Sequence, residues 1–193
     1  MFQVRIHGRG GQGVVTAAEM LSVAAFQDGK HSQAFPTFGS ERAGAPVTSF
    51  CRIDEWPIRA REPVSEPDAL IIQDPTLLHQ VKVFAGLRED GYVLINTSRS
   101  PEDLGLSEFA SGLRPGRLLA APASEIASRR LGRPLPNTAL LGGFAAMTGV
   151  VTLEAVVQAI GQKFSGDVAD RNMLAATEAH DFVQREIREL SHA

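Results

Sequence analysis

Two stretches of this chain hold residues whose types and spacing suit ligand chemistry better than packing alone. The first, Gly8-Arg9-Gly10-Gly11-Gln12-Gly13, has the Gly-x-Gly-x-x-Gly spacing. Glycine admits positive φ and lets a phosphate or a second backbone come close. A helix opening directly behind such a loop offers unpaired N–H groups and the positive end of its dipole to an anion. The chemistry this allows is cradling, not bond breaking. A dinucleotide fold also needs an acidic residue about 20 positions on, at the end of the second strand, to hold the ribose. That region reads Ser32-Gln33-Ala34-Phe35-Pro36, so a nicotinamide cofactor is disfavoured. A nucleoside triphosphatase loop is excluded more sharply, because Val14 and Val15 stand where Lys and Ser/Thr must hold phosphate and Mg²⁺. Two readings remain: a tight turn that packs another polypeptide, or a cradle for a phosphate-bearing ligand such as coenzyme A.

The second stretch is Thr37-Phe38-Gly39-Ser40-Glu41-Arg42, inside a Pro36–Pro46 connection too long for a tight hairpin. Ser40 has Gly39 immediately before it and so does not form a nucleophile elbow. Glu41 and Arg42 are adjacent and on an extended loop point to different neighbours. His7, His31, His79, His180 and His192 are scattered without metal-ligand spacing, although His7 and His31 are expected at strand ends beside the glycine loop. Asp74 and Asn96 close two successive strands, where layered α/β sheets gather ligand groups. Cys51 is the single cysteine, which rules out an internal disulfide and a cluster held by four thiolates of this chain. No complete active site emerges, and no metal-binding residue is assigned.

The elements that must position these loops follow from periodicity. Phe2, Val4 and Ile6 alternate with polar residues as a first strand, and a helix is expected over Val14–Gln27, stopped by Asp28-Gly29. Strands are expected at His31–Phe35, Val47–Ile53, Ala69–Gln73, Tyr92–Asn96 and Arg117–Ala121, with helices at Thr76–Leu87 and Ser124–Leu131. After Pro134-Leu135-Pro136-Asn137 only helices follow: Thr138–Thr148, Leu153–Lys163, and one from Val168 with Asp167 as its cap. In the last, Ala175, Ala179, Phe182, Val183, Ile187 and Leu190 fall on one side. The expected fold is α/β: a Rossmann-like layered, parallel-rich sheet with helices on both faces and a helical C-terminal segment. The whole chain, 1–193, reads as one domain, with an α/β core over 1–133 and a helical extension over 134–193.

Composition narrows the partners. Hydrophobic residues make up 44% and charged residues 21%, ordinary globular usage that argues against disorder. A net charge of -3 and a pI near 6.0 argue against nucleic acid. No stretch reaches the ~20 apolar residues of a membrane span, and Met-Phe-Gln-Val-Arg enters a strand without a cleavable apolar segment. A cytoplasmic location is the expectation.

Arg5-Ile6-His7-Gly8-Arg9-Gly10-Gly11-Gln12-Gly13-Val14-Val15-Thr16-Ala17-Ala18, followed by Phe38-Gly39-Ser40-Glu41-Arg42-Ala43-Gly44-Ala45-Pro46-Val47, resembles the gamma subunit of 2-oxoacid:acceptor oxidoreductases. That family includes pyruvate:ferredoxin, 2-oxoisovalerate:ferredoxin and phenylglyoxylate oxidoreductases. The resemblance covers nearly the whole chain. It implies a subunit of an enzyme that decarboxylates a 2-oxoacid oxidatively and leaves the acyl group on coenzyme A. Thiamine diphosphate, Mg²⁺ and [4Fe-4S] clusters would then sit in alpha, beta and ferredoxin-like partner subunits. This chain alone would bind no cofactor, although coenzyme A would be shared at a surface formed by Gly8 to Gly13 and Thr37 to Arg42. The alternative is a free-standing coenzyme A- or nucleotide-binding module.

Overall fold

A computed structural model describes residues 1–37 and 43–192. Six strands form one sheet: β1 (Phe2–Arg9), β2 (His31–Pro36), β3 (Pro46–Asp54), β4 (Ala69–Ile72), β5 (Tyr92–Asn96) and β6 (Leu118–Ala121), in the order β2-β3-β1-β4-β5-β6. β1, β4, β5 and β6 pair in parallel, while β3 is antiparallel to both β1 and β2. Only β3 is therefore reversed. In a dinucleotide fold the second strand lies against the first; here β3 stands between them. The end of β2 is thus one strand removed from the glycine loop, a second obstacle to a ribose site there.

Side-chain alternation feeds two cores. Val4, Ile6, Cys51, Ile71 and Leu94 face the larger one with α1 (Val14–Gln27), α4 (Asn137–Thr148), α5 (Leu153–Lys163) and α6 (Gly166–His192). α3 (Ala123–Leu131) closes the same layer through Ile126. Leu70, Ile72, Val93 and Ile95 face the smaller core, which is covered by the 3-10 helix Pro75–His79, the short α2 (Ser107–Ser111) and irregular chain. Helices lie on both faces, but very unequally. The helical segment after residue 134 packs into the main core, to which α4 and α6 supply Phe144, Ala175, Ala179 and Val183. Leu190 departs from its expected buried side and is 44% exposed. Asp167 pairs with Arg171 at 2.7 Å in the first turn of α6.

The thin face explains one departure from expectation. Thr76–Leu87 is not a helix; only Pro75–His79 winds, as a 3-10 turn. The carbonyls of Val83 and Ala85 turn away to accept from Arg5 Nη2, at 2.9 and 2.6 Å, and so leave the helical ladder. On the same face Arg52, fully buried, donates to Gln3 Oε1 (3.0 Å) and to the Glu62 carbonyl (2.5 Å) and lies over the Phe35 ring. Two buried arginines thus fasten irregular chain to the sheet where a crossover helix would normally pack. Alternation along β1 places Gln3, Arg5 and His7 on a polar face, and that face is buried by these segments.

Candidate functional site

β1 carries the chain up to the glycine loop, and β4 beside it ends at Gln73-Asp74. After β1 the chain crosses to one half of the sheet, and after β4 to the other. The loop therefore lies at the topological switch point, where such sheets open a crevice above their strand ends.

The loop is locked from within. Gln12 Oε1 accepts from the Arg9 amide at 2.7 Å, and Gln12 Nε2 donates to Asp74 Oδ2 at 2.9 Å. Gln73 Nε2 holds the Gln12 carbonyl from below at 2.8 Å. Arg9 extends its fork to Asp74 Oδ2 (3.1 Å), Thr76 Oγ1 (2.7 Å), Gln80 Oε1 (2.8 Å) and the Gly44 carbonyl (3.0 Å). Burial pushes the Asp74 carboxyl up, but the hydrogen bonds from Thr76 and Gln12 and the Arg9 charge outweigh it and hold the group below its ordinary range. Asp74 therefore stays anionic and holds three side chains, Arg9 and Gln12 of the glycine loop and Thr76 of the 3-10 turn. Arg9, expected as a ligand contact, is committed to this clamp.

The positive φ needed for the turn falls at Gly11 (92°) and Gly13 (68°), not at Gly10. Gly8 is required for another reason: a Cβ there would drive into Val14 Cγ2. At Gly13 a Cβ would collide with Asn137 Nδ2, whose amide caps the Gly13 carbonyl at 3.4 Å. Around Gly11 a Cβ would meet no described residue within 4 Å. Among the described residues, nothing accepts from the amides of Gly11, Gly13, Val14, Val15 or Thr16. The corner thus presents a fixed crest of N–H groups at the positive end of α1, the geometry that suits an anion or a partner's carbonyls.

The second motif reaches the same corner by its flanks. Gly10 donates to the Ala45 carbonyl (2.9 Å) and accepts from the Gly44 amide (3.0 Å), with Gly10 bridged to Ala43. Thr37 is tied to the Thr48 carbonyl by its amide (2.9 Å) and its hydroxyl (3.0 Å). Phe38, Gly39, Ser40, Glu41 and Arg42 lie outside the described residues. Asn96 does not face the crevice: it accepts from the Ser124 amide (2.9 Å) at the start of α3 and donates to the Gln73 carbonyl (2.8 Å). His31 begins β2 opposite Asp54, at the far end of the sheet from the loop, contrary to expectation. Sequence reasoning does not single out Gln73, Gln80 or Asn137. Gln73 and Asn137 do sit where a strand ends and a helix begins, whereas nothing near Gln80 in sequence marks it.

His7 is where expected, buried just below the loop. Arg5 Nε donates to His7 Nε2 at 3.0 Å, so the imidazole proton sits on Nδ1, 3.4 Å from Thr48 Oγ1. Burial first, then the Arg5 charge, lower its pKa to about 4 against an opposing pull from the Val83 carbonyl. The unfolded chain therefore takes up a proton near pH 6.5 that the folded chain refuses until about pH 4. Stability from this residue is complete above pH 6.5 and is lost as pH falls towards 4, by roughly 3 kcal/mol in all. Denaturant unfolding at pH 7.5 and pH 5 should show His7→Gln losing markedly less stability than wild type over that interval. Equal losses would mean His7 titrates normally.

Among the described residues, no helix is long and apolar enough to cross a membrane and no group of side chains could hold a metal ion. Cys51 is buried, and burial pushes its thiol far up, so it offers no nucleophile.

The family model described as pyruvate ferredoxin/flavodoxin oxidoreductase matches residues 3–182. The Pyrococcus abyssi pyruvate/ketoisovalerate oxidoreductases common subunit gamma is 50% identical, covering 95% of this chain and 98% of its own length. The Methanosarcina barkeri pyruvate synthase subunit PorC is 52% identical, covering 83% of this chain and 85% of its own. The crystal structure of the Thermotoga maritima pyruvate oxidoreductase subunit PORC superposes with a TM-score of 0.78 at 36% identity, covering 93% of this chain and 95% of that one. The fold also recurs in a 2-oxoglutarate:ferredoxin oxidoreductase from Magnetococcus marinus, at TM-score 0.74 and 17% identity, where it accounts for 32% of a longer chain. By the extent of the family match and by its likeness to complete relatives, the chain belongs to the pyruvate ferredoxin/flavodoxin oxidoreductase family as a gamma-type oxidoreductase subunit.

Proposed function

We propose that this chain is the gamma subunit of a thiamine-diphosphate- and iron–sulfur-dependent enzyme that converts a 2-oxoacid to acyl-coenzyme A, CO₂ and reduced acceptor. The reactive groups belong to alpha, beta and ferredoxin-like partners. This chain supplies the surface that closes the coenzyme A and substrate channel: Gly8 to Gly13 together with Thr37 to Arg42. Ligand donors are the amides of Gly11, Gly13, Val14, Val15 and Thr16, since Arg9 is spent on the clamp and the Gln12 amide on the Arg9 carbonyl. The observation that carries the reading is that corner, rigid from within and open outward at Gly11. A loop built only to turn the chain has no need of three side-chain anchors and a vacant crest. The names of the relatives support the same reading, each being a subunit of a 2-oxoacid enzyme.

The test is isolation of a tagged chain from its host at its natural expression level. The expected result is stoichiometric co-purification with larger subunits that carry thiamine diphosphate and iron–sulfur clusters. A lone monomer that binds coenzyme A by itself would overturn the reading in favour of a free-standing module.

A further inference from the structure

We infer that the outer edge of β6 receives an extended strand, bearing apolar and basic side chains, from another subunit of the oxidoreductase. The inference rests on the subunit reading given above and concerns a surface distinct from the glycine corner.

The sheet has two outer edges, β2 and β6. On β2 the bond from the Thr37 amide to the Thr48 carbonyl fixes the alternation, so Ser32, Ala34 and Pro36 point outward. Pro36 has no N–H to offer, a usual device for discouraging edge pairing. On β6 the bonds Val93 N–H to Arg117 carbonyl and Thr97 N–H to Ala121 carbonyl turn the backbone of Leu118 and Ala120 outward. No described group pairs with them, and Leu118–Ala121 contains neither proline nor charge. Unpaired, evenly spaced N–H and C=O groups specify an extended backbone as their complement, not a helix.

The surroundings specify the rest. A groove of about 530 Å³ runs along this edge, between Phe182 and Leu190 of α6 on one side and Pro101 on the other. Leu190 is 44% exposed although it continues the apolar side of its helix. Glu102, Glu125 and Glu186 line the groove, and none is in an ion pair with a described residue. Arg99, the one cation of the lining, is turned onto the Asp103 carbonyl. Three unpaired carboxylates against one arginine leave the lining net acidic around an apolar floor, which calls for lysine or arginine beside apolar side chains.

Hydrogen exchange on the isolated chain and the assembled enzyme tests this directly. The Leu118 and Ala120 amides should exchange at least tenfold more slowly in the complex. Ala120→Pro removes one outward donor while the bonds of Leu119 and Ala121 to β5 remain. It should melt like wild type alone and bind its partners at least tenfold more weakly. Should it misfold, the surface variant Glu102→Lys/Glu186→Lys gives the same reading, through at least tenfold weaker assembly at low ionic strength. Unchanged exchange on assembly, or wild-type assembly of the folded variants, would overturn the inference. A dimer of the isolated chain that Ala120→Pro abolishes would also overturn it, by making a second copy the occupant. If the wild-type chain never assembles, the subunit reading fails; if it assembles with these amides unprotected, only this inference does.

Discussion

Gly142→Ala should destabilise the isolated chain by about 2–3 kcal/mol, although glycine-to-alanine changes inside helices ordinarily stabilise by about 1 kcal/mol. The reversal comes from where the methyl would go. A Cβ at Gly142 would lie 2.6 Å from the Ala176 carbonyl carbon, 2.8 Å from its Cα, and nearer still to its oxygen. All three are backbone atoms of α6, so no side chain can swing aside and the two helices must separate. Overpacking a rigid core costs roughly 1–3 kcal/mol and occasionally more. Contact with backbone puts this site at or above the upper end, and the propensity gain offsets only part of it. For a chain of this size the melting point should fall by roughly 5–10 °C. Gly161→Ala is the control, because its Cβ would meet only the terminal methyl of Met173, at 2.8 Å. Thermal unfolding of the two variants side by side decides the matter: equal melting points would mean α4 and α6 are not packed as described.

The effect would reach the candidate site. α4 begins at Asn137, whose amide supports the Gly13 carbonyl, and Thr138 Oγ1 donates to Asn172 Oδ1 of α6 at 2.9 Å just behind it. Displacing α4 therefore loosens the floor of the glycine corner.

How much of this is legible in the sequence depends on the range of the interactions involved. The borders of α1 follow from local periodicity and the Asp28-Gly29 stop, and those of α5 from its amphipathic pattern; the Thr152 cap of α5 emerges only in the structure. The segment Thr76–Leu87 defies its local pattern because its fate is set by Arg5, some 80 residues earlier in the chain. Arg5 in turn reads only as one of the polar residues alternating with Phe2, Val4 and Ile6, since alternation shows which residues share a face but not what covers it. The glycine loop is recognisable from spacing alone. Its lock is only half legible: Asp74 stands out at a strand end, but its union with Arg9 and Gln12 is a tertiary fact. The insertion of β3 between β1 and β2 leaves no local trace at all.

Gly11 isolates the central claim, because a Cβ placed there meets no described residue within 4 Å. Its φ of 92° excludes most residues at modest cost, but asparagine tolerates that region best among the non-glycine residues. Gly11→Asn should therefore cost the isolated chain about 1 kcal/mol, well within a stability of roughly 5–15 kcal/mol. Gly13 would be a poorer probe, since its substitution disturbs Asn137 and confuses folding with recognition. A large effect of Gly11→Asn on assembly or turnover, with folding preserved, then reports on what faces the corner. A tenfold loss of affinity corresponds to about 1.4 kcal/mol, a small demand on a side chain intruding into a fitted interface.

Titration of the purified partner subunits with wild-type and Gly11→Asn chains, followed by coenzyme A-dependent turnover, is the most direct measurement. A chain that melts within a few degrees of wild type yet assembles at least tenfold more weakly, or needs at least tenfold more coenzyme A, is the predicted result. Wild-type assembly and wild-type kinetics with asparagine in place would show that the glycine corner faces neither a partner nor the channel.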